Sequence, residues 1–191
     1  ELWDEARHRY SDLKNVQTRE LTDTKSGTLL RLQYNAARLV STGARLDRVS
    51  LRQRPCFLCK DNRPSCRMVR PLSFANSRER RHQGLDLLVN PYPILPAHFT
   101  LAASAHQPQR IRDIYPEIYR TLDAYPDITV FYNGPRCGAP CPAHLHLQAG
   151  TSGLRPLQQQ GARLSRSLKP LLSGDGGDDV SLVTDYVCPA F

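Results

Sequence analysis

Apolar residues recur along this chain with two periods, and each period predicts a different element. Within residues 108–125, Ile111, Ile114, Tyr115, Ile118, Tyr119 and Leu122 fall at steps of three and four, which predicts the clearest helix in the sequence. Pro116 lies inside that pattern. A proline has no N–H to donate to the preceding turn, so a kink or a restart is expected there. Trp3, Ala6, Tyr10 and Leu13 keep the same spacing and predict an amphipathic helix at the start. A period of two marks strands. Residues 28–34 set Leu30, Leu32 and Tyr34 against Arg31 and Gln33, the pattern of a half-buried strand with a polar face. Residues 85–90, 99–103 and 128–132 read as further strands, with Pro91, Pro93 and Pro96 forcing an extended connection between the first two.

The run His144-Leu145-His146-Leu147-Gln148 also alternates. On one strand its three polar side chains would share a face, with Leu145 and Leu147 turned to an apolar layer. Ser41-Thr42-Gly43 and Asn133-Gly134-Pro135 are turn signals. Residues 52–83 are rich in Arg, Pro, Asn and Ser and have little periodicity, so irregular backbone is expected unless something pins it. Residues 152–179 read as loop plus a short helix around 157–172, and residues 180–187 as a strand running into an apolar tail that ends at Phe191. That abrupt end reads as a boundary beyond which more chain follows. The opening Glu1, with no signal-peptide pattern, reads as a processed or trimmed start. Strands with helices inserted, without strict alternation, predict an α+β domain around an antiparallel sheet. Residues 1–50 are expected to form a helix and strand extension packed on the core, and residues 51–191 the main domain.

Composition narrows the function. With 191 residues, 40% of them hydrophobic and 23% charged, the chain suits one sizeable soluble domain, and no run is long and apolar enough for a membrane span. The net charge of +8 is carried mainly by arginine, whose planar fork suits phosphate. Aromatic residues are not interleaved with the arginines of residues 52–81, so a nucleotide fits at least as well as a nucleic acid, and a solvated basic face accounts for the charge total alone. Among six cysteines, Cys56-Phe57-Leu58-Cys59 is spaced for metal or redox chemistry, which favours a cytoplasmic chain over a disulfide-bonded secreted one. A closed tetrahedral zinc site needs two more donors, available from His8, His82, His98, His106, His144 and His146. An extended strand would hold His98 and His106 roughly 26 Å apart, so one of them at most is a ligand.

Asn90-Pro91-Tyr92-Pro93-Ile94-Leu95-Pro96-Ala97-His98-Phe99-Thr100-Leu101, then His106, Tyr132-Asn133-Gly134 and His144-Leu145-His146-Leu147-Gln148 together resemble the histidine-triad (HIT-like) superfamily. Gln148, where hydrolase members carry a third histidine, likens the chain to the transferase branch. That branch holds galactose-1-phosphate uridylyltransferase, diadenosine tetraphosphate phosphorylase and the GDP-hexose phosphorylases. With Gln33-Tyr34-Asn35-Ala36-Ala37-Arg38 and Arg54-Pro55-Cys56-Phe57-Leu58-Cys59 added, the pattern resembles an uncharacterised bacterial family beside those phosphorylases.

The resemblance implies a HIT-like antiparallel sheet and a nucleotidyltransferase or phosphorylase acting on a nucleoside polyphosphate or nucleotide sugar, with a phosphate-type acceptor. His146 would be the nucleophile that forms a nucleotidyl-histidine. Gln148 would donate a hydrogen bond to the transferred phosphoryl group, and His98 would hydrogen-bond within the site. Structural zinc would be held by Cys56, Cys59, His106 and His144. Cys137 and Cys141 also have metal-compatible spacing and are an alternative to His106, or a disulfide pair if the protein meets oxidant. Asn133, Gly134, Arg136, Asn35 and Arg38 would contact phosphate or ribose. The uridylyltransferases carry two such units in one chain where this chain shows one, which implies a homodimer or further sequence to complete the pocket. Two other readings stay open: a nucleotide hydrolase of the histidine-triad type, and a catalytically silent zinc-stabilised module binding nucleotide or RNA.

Overall fold

The computed structural model describes residues 10, 12–39, 54–63, 69–72, 84–137, 141–174 and 179–188. By contacts the chain forms two compact units, one from Glu1–Val16 and Asn35–Thr151, the other from Gln17–Tyr34 and Ser152–Phe191.

In chain order the second unit begins with β1 (Gln17–Thr22) and β2 (Leu29–Tyr34), and the first unit contributes β3 (Val69–Leu72), β4 (Leu85–Val89), β5 (His98–Ala103), α1 (Tyr115–Ala124), β6 (Ile128–Phe131) and β7 (His146–Thr151). Its five strands form one antiparallel sheet in the order β3-β4-β5-β7-β6. The register sorts side chains into two faces. Leu85, Leu101, Ala103, Leu145, Leu147 and Ala149 are buried with Ile114 in one cluster, against which Ile118, Ile128 and Val130 pack. The opposite face carries Asp86 and Leu88 on β4, His98, Thr100 and Ala102 on β5, Phe131 on β6, and His146, Gln148 and Gly150 on β7.

The expected helix over 108–125 is split. A 3-10 turn covers Ile111–Ile114, and α1 then starts at Tyr115 with Pro116 in its first turn, where a missing N–H costs no helical hydrogen bond. Strand β7 starts at His146, so His144 lies in a bend before the strand rather than on it. The alternation survives this correction because the Leu145 N–H donates to Gln107 O and the Ala103 N–H to Leu145 O, which holds Leu145 in the core. Strand β3 departs from the expectation of irregular backbone. Its Pro71 is tolerated because the strand lies at the sheet's edge.

In the second unit β1 pairs with β2, the short helices α2 (Pro156–Gln159) and α3 (Gly161–Leu164) follow, and β8 (Leu168–Leu172) pairs antiparallel with β9 (Val180–Val183). Two expectations are corrected here. Residues 28–34 do contain a strand, but its apolar side faces out: Leu32 is 53% and Tyr34 59% exposed. The polar side is the anchored one, with Arg31 bonded to Glu20, Leu154 O and Gln159. The helix expected around 157–172 ends at Leu164, and its last residues are strand. Pro170 sits at an irregularity in the β8–β9 pairing, where no ladder hydrogen bond is required of it. The helix expected from Trp3 to Leu13 lies largely outside the described residues, which show a 3-10 turn at Asp12–Asn15. The Ser41-Thr42-Gly43 loop lies outside them altogether.

Candidate functional site

The irregular segment at residues 54–63 is pinned by its own chemistry. Leu58 is 2% exposed and packs with Leu88, Ala102 and Cys141. The Cys59 N–H donates to Cys56 O (3.1 Å), which closes a tight turn. Arg63 then fastens the turn to the sheet: its Nε donates to Leu58 O (2.7 Å) and its Nη1 pairs with Asp86 Oδ2 (2.7 Å), whose other oxygen accepts from Ser104 (3.1 Å). Both members of the ion pair are nearly buried, so each depends on the other for compensation.

This turn presents two thiols to two imidazoles. The donor atoms of Cys56, Cys59, His106 and His144 all lie within 4.8 Å of one another. Cys56 Sγ is 3.3 Å and Cys59 Sγ 3.5 Å from His144 Nδ1, and Cys59 Sγ is 3.2 Å from His106 Nδ1. Around a tetrahedral zinc, with bonds of about 2.3 Å to sulfur and about 2.0 Å to nitrogen, a sulfur and a nitrogen stand roughly 3.5 Å apart. The four residues therefore fit a metal ion with little movement. His144 is oriented for it: the Nε2–H donates to Ala103 O (2.9 Å), which leaves the Nδ1 lone pair facing the thiols. Burial lowers the pKa of His144, so the neutral, ligating form is favoured. Burial and the neighbouring Cys56 raise the Cys59 thiol, a bias that a bound cation would reverse. Cys137 is exposed and Cys141 buried, and neither belongs to the four-donor cluster found among the described residues.

Two residues along the chain, His146 is 6% exposed, with its Nδ1 2.8 Å from its neighbour's carbonyl, His144 O. A carbonyl only accepts, so Nδ1 carries the proton and Nε2 the lone pair. The backbone of the proposed ligand thus sets the tautomer of His146. Gln148 is set in a similar way. The Ile94 N–H donates to His98 Nδ1 (3.2 Å), so His98 Nε2 bears the hydrogen and donates it to Gln148 Oε1 (2.7 Å). The Gln148 oxygen is thereby occupied and its NH₂ is left as the donor end. His98 itself is 1% exposed and stacks on Phe131 at 5.8 Å, and its own carbonyl accepts from the Tyr10 hydroxyl (2.6 Å) and the Asn90 N–H (2.9 Å).

The sequence did not point to Gln109, although it joins two parts of the site. Its Oε1 accepts from the His146 N–H (2.7 Å), and its Nε2 donates to His146 O (2.9 Å) and Asn133 O (2.8 Å). Asn133 and Gly134 are half-buried after β6, and Arg136 is exposed in the turn that follows. Asn35 precedes a 3-10 turn in the same unit that ends at Arg38, whose guanidinium pKa is lowered by burial.

The DUF4922 family, described as a domain of unknown function, matches residues 1–151. The chain belongs to that family. No curated protein matches it. Among solved structures, yeast Ap4A phosphorylase Apa2 in complex with Ap4A is similar with a TM-score of 0.53 at 17% identity, over 96% of this chain and 62% of that one. The same enzyme in complex with AMP gives 0.47 at 17% identity, over 96% and 59%. The chain thus spans less than two thirds of the length of Apa2. The first of these likenesses shows that this DUF4922 member has a HIT-like α+β fold. Among the described residues no helix is long and apolar enough to cross a membrane.

Proposed function

We propose that this protein is a nucleotidyltransferase of the phosphorylase type, acting on a nucleoside polyphosphate or nucleotide sugar through a nucleotidyl-His146 intermediate. The observation that carries the proposal is the hydrogen bond from His146 Nδ1 to His144 O, which leaves Nε2 unprotonated beside an amide donor whose direction is fixed by His98. The similarity of fold to an Ap4A phosphorylase supports it.

In the first step the Nε2 lone pair attacks the α-phosphorus, a P–N bond forms, and the P–O bond to the leaving phosphate chain breaks with its electrons passing to that oxygen. In the second step an oxygen of inorganic phosphate or another anionic acceptor attacks the same phosphorus, and the P–N electrons return to Nε2. The Gln148 NH₂ donates to a non-bridging oxygen, where charge is greatest in the transition state. Asn133 and Gly134, with Arg136, Asn35 and Arg38, are the proposed contacts to phosphate and ribose. Zinc is the proposed metal at Cys56, Cys59, His106 and His144, since thiolate and imidazole donors suit it. Bound there, it would tie residues 54–63 to the segment before His146.

The test uses diadenosine tetraphosphate, GDP-glucose and UDP-glucose labelled at the α-phosphorus. Acid-labile label on the protein is expected with at least one of them, and its loss in His146→Ala. Label that persists in His146→Ala overturns the assignment. Turnover that rises with inorganic phosphate identifies a phosphorylase, whereas phosphate-independent turnover identifies a hydrolase.

A further inference from the structure

Strand β6 pairs with β7 from Ile128↔Thr151 as far as Phe131↔Gln148 and then leaves it, two residues short of His146. A β7 residue in that position would have an N–H and a C=O with no ladder partner on that flank, and His146 is that residue. The Gln109 side chain fills the gap. Its planar amide carries an N–H and a C=O side by side, as a single residue of a hydrogen-bonded strand pair does with its own N–H and C=O, and it exchanges two hydrogen bonds with His146 as an opposite strand residue would. The second hydrogen of its Nε2 goes to Asn133 O on the departing chain. The amide is 4% exposed and both its hydrogens are used. Its backbone is held in turn, because the Tyr132 hydroxyl donates to Gln109 O (2.8 Å).

We propose that Gln109 is a positioning residue that fixes the His146 backbone against the Asn133-Gly134 turn, so that nucleophile and proposed phosphate-binding turn keep one spacing while the sheet opens between them. The role rests on the proposed nucleotidyl-transfer reading for its chemical consequence but not for its geometry. Nothing in Gln109 need touch substrate. Its effect falls on the step in which Nε2 must meet phosphorus in line, and misplacement of a reacting group by about 1 Å costs roughly 100-fold in rate.

Gln109→Glu is the decisive variant. It keeps the shape and the acceptor for the His146 N–H but sets a carboxylate oxygen against two carbonyl oxygens, His146 O and Asn133 O. That environment raises the carboxyl pKa, and protonation restores one of the two lost donors. The labelling rate of Gln109→Glu relative to the unaltered protein, measured at each pH well below the melting temperatures of both, is therefore expected to rise about tenfold or more between mildly alkaline and mildly acidic pH. Gln109→Leu is expected to lose about 30-fold or more in labelling rate at saturating nucleotide with KM changed less than about threefold. A pH-independent ratio for Gln109→Glu overturns the proposal, as does a folded Gln109→Leu that labels like the unaltered protein. If Gln109→Leu does not fold, the Gln109→Glu profile decides alone. If the unaltered protein takes no label, the nucleotidyl-transfer reading fails on its own, and amide exchange decides for Gln109. Exchange of the His146 amide should then accelerate in Gln109→Leu, or in Gln109→Ala if the leucine variant does not fold, because both remove its acceptor, while that of Gln148 holds, and an unchanged His146 amide overturns the role.

Discussion

His98 shows how much one hydrogen can decide. In the proposed reaction the Gln148 amide would present either an oxygen or an NH₂ to a phosphoryl group, and the two ends would have opposite effects on a transition state rich in negative charge. His98 makes the choice, because its Nε2–H claims the oxygen and its Nδ1 is already occupied by the Ile94 N–H. Removing the ring in His98→Ala leaves Gln148 free to turn, and the labelling rate should fall by about 10- to 100-fold, most of it in the rate at saturation rather than in KM. Single-turnover labelling measures this, and a rate within threefold of the unaltered protein, as a rough threshold, would show that Gln148 is oriented by something else. At this scale the sequence was informative where side chains alternate. The spacing of His144, His146 and Gln148 survives in the structure although His144 stands outside the strand. Gln109 carried no such mark, since a glutamine in a loop has no period, and only the end of β6 opposite His146 gives it a task.

The buried strands were legible from their apolar pattern, whereas of the exposed ones β2 was legible from its alternation and β1 and β8 were not. β4, β5 and β6 lie in or beside the core and show the apolar pattern that burial imposes. β1 is exposed at every position, so its composition answers only to its partner strand, and β8 carries leucines at helical spacing that never enter a core. The close approach of residues 90–98 to β7 is another feature of element packing. A Cβ on Gly150 would meet Leu95 and come within 2.7 Å of Ala97 O, a backbone atom that cannot turn aside. Gly150→Ala should therefore push this segment off the strand and destabilise the first unit by about 1–3 kcal/mol, read as a lower urea midpoint at unchanged slope. The turn between β1 and β2 depends instead on pH. Asp23 Oδ2 accepts from the Ser26 N–H (2.7 Å) and hydroxyl (2.6 Å), which lowers its pKa below the ordinary 3.8. A carboxyl with a depressed folded value contributes stability above its unfolded pKa and loses it as the pH falls through the folded one. Amide exchange at Ser26 and Gly27, corrected for intrinsic acid catalysis, should thus quicken below that ordinary value in the unaltered protein and show no such step in Asp23→Asn.

Across the whole molecule, the cluster of Cys56, Cys59, His106 and His144 falls within one of the two compact units. Cys59 and His144 are 85 residues apart, and a metal shared between them would close that length of the first unit into a loop. If the link acts as a disulfide does, it is worth about 4 kcal/mol, against a typical total of about 5–15 kcal/mol for a folded domain. Zinc loss would then remove a large fraction of that unit's stability. The Arg63–Asp86 pair and the burial of Leu58 would remain to hold residues 54–63. The second unit contributes no donor to the cluster, because Gln17–Tyr34 and Ser152–Phe191 contain none of its four residues. Chelation at neutral pH should therefore quicken exchange at the Ala103 and Leu145 amides, whose bonds frame His144, and leave the β1–β2 and β8–β9 ladders as they were. Cys59→Ser should copy the effect and lose stoichiometric zinc by elemental analysis. Uniform loss of protection in both units would mean that the metal supports the whole chain rather than one part. No change in either would mean that the four side chains converge without holding a structural metal.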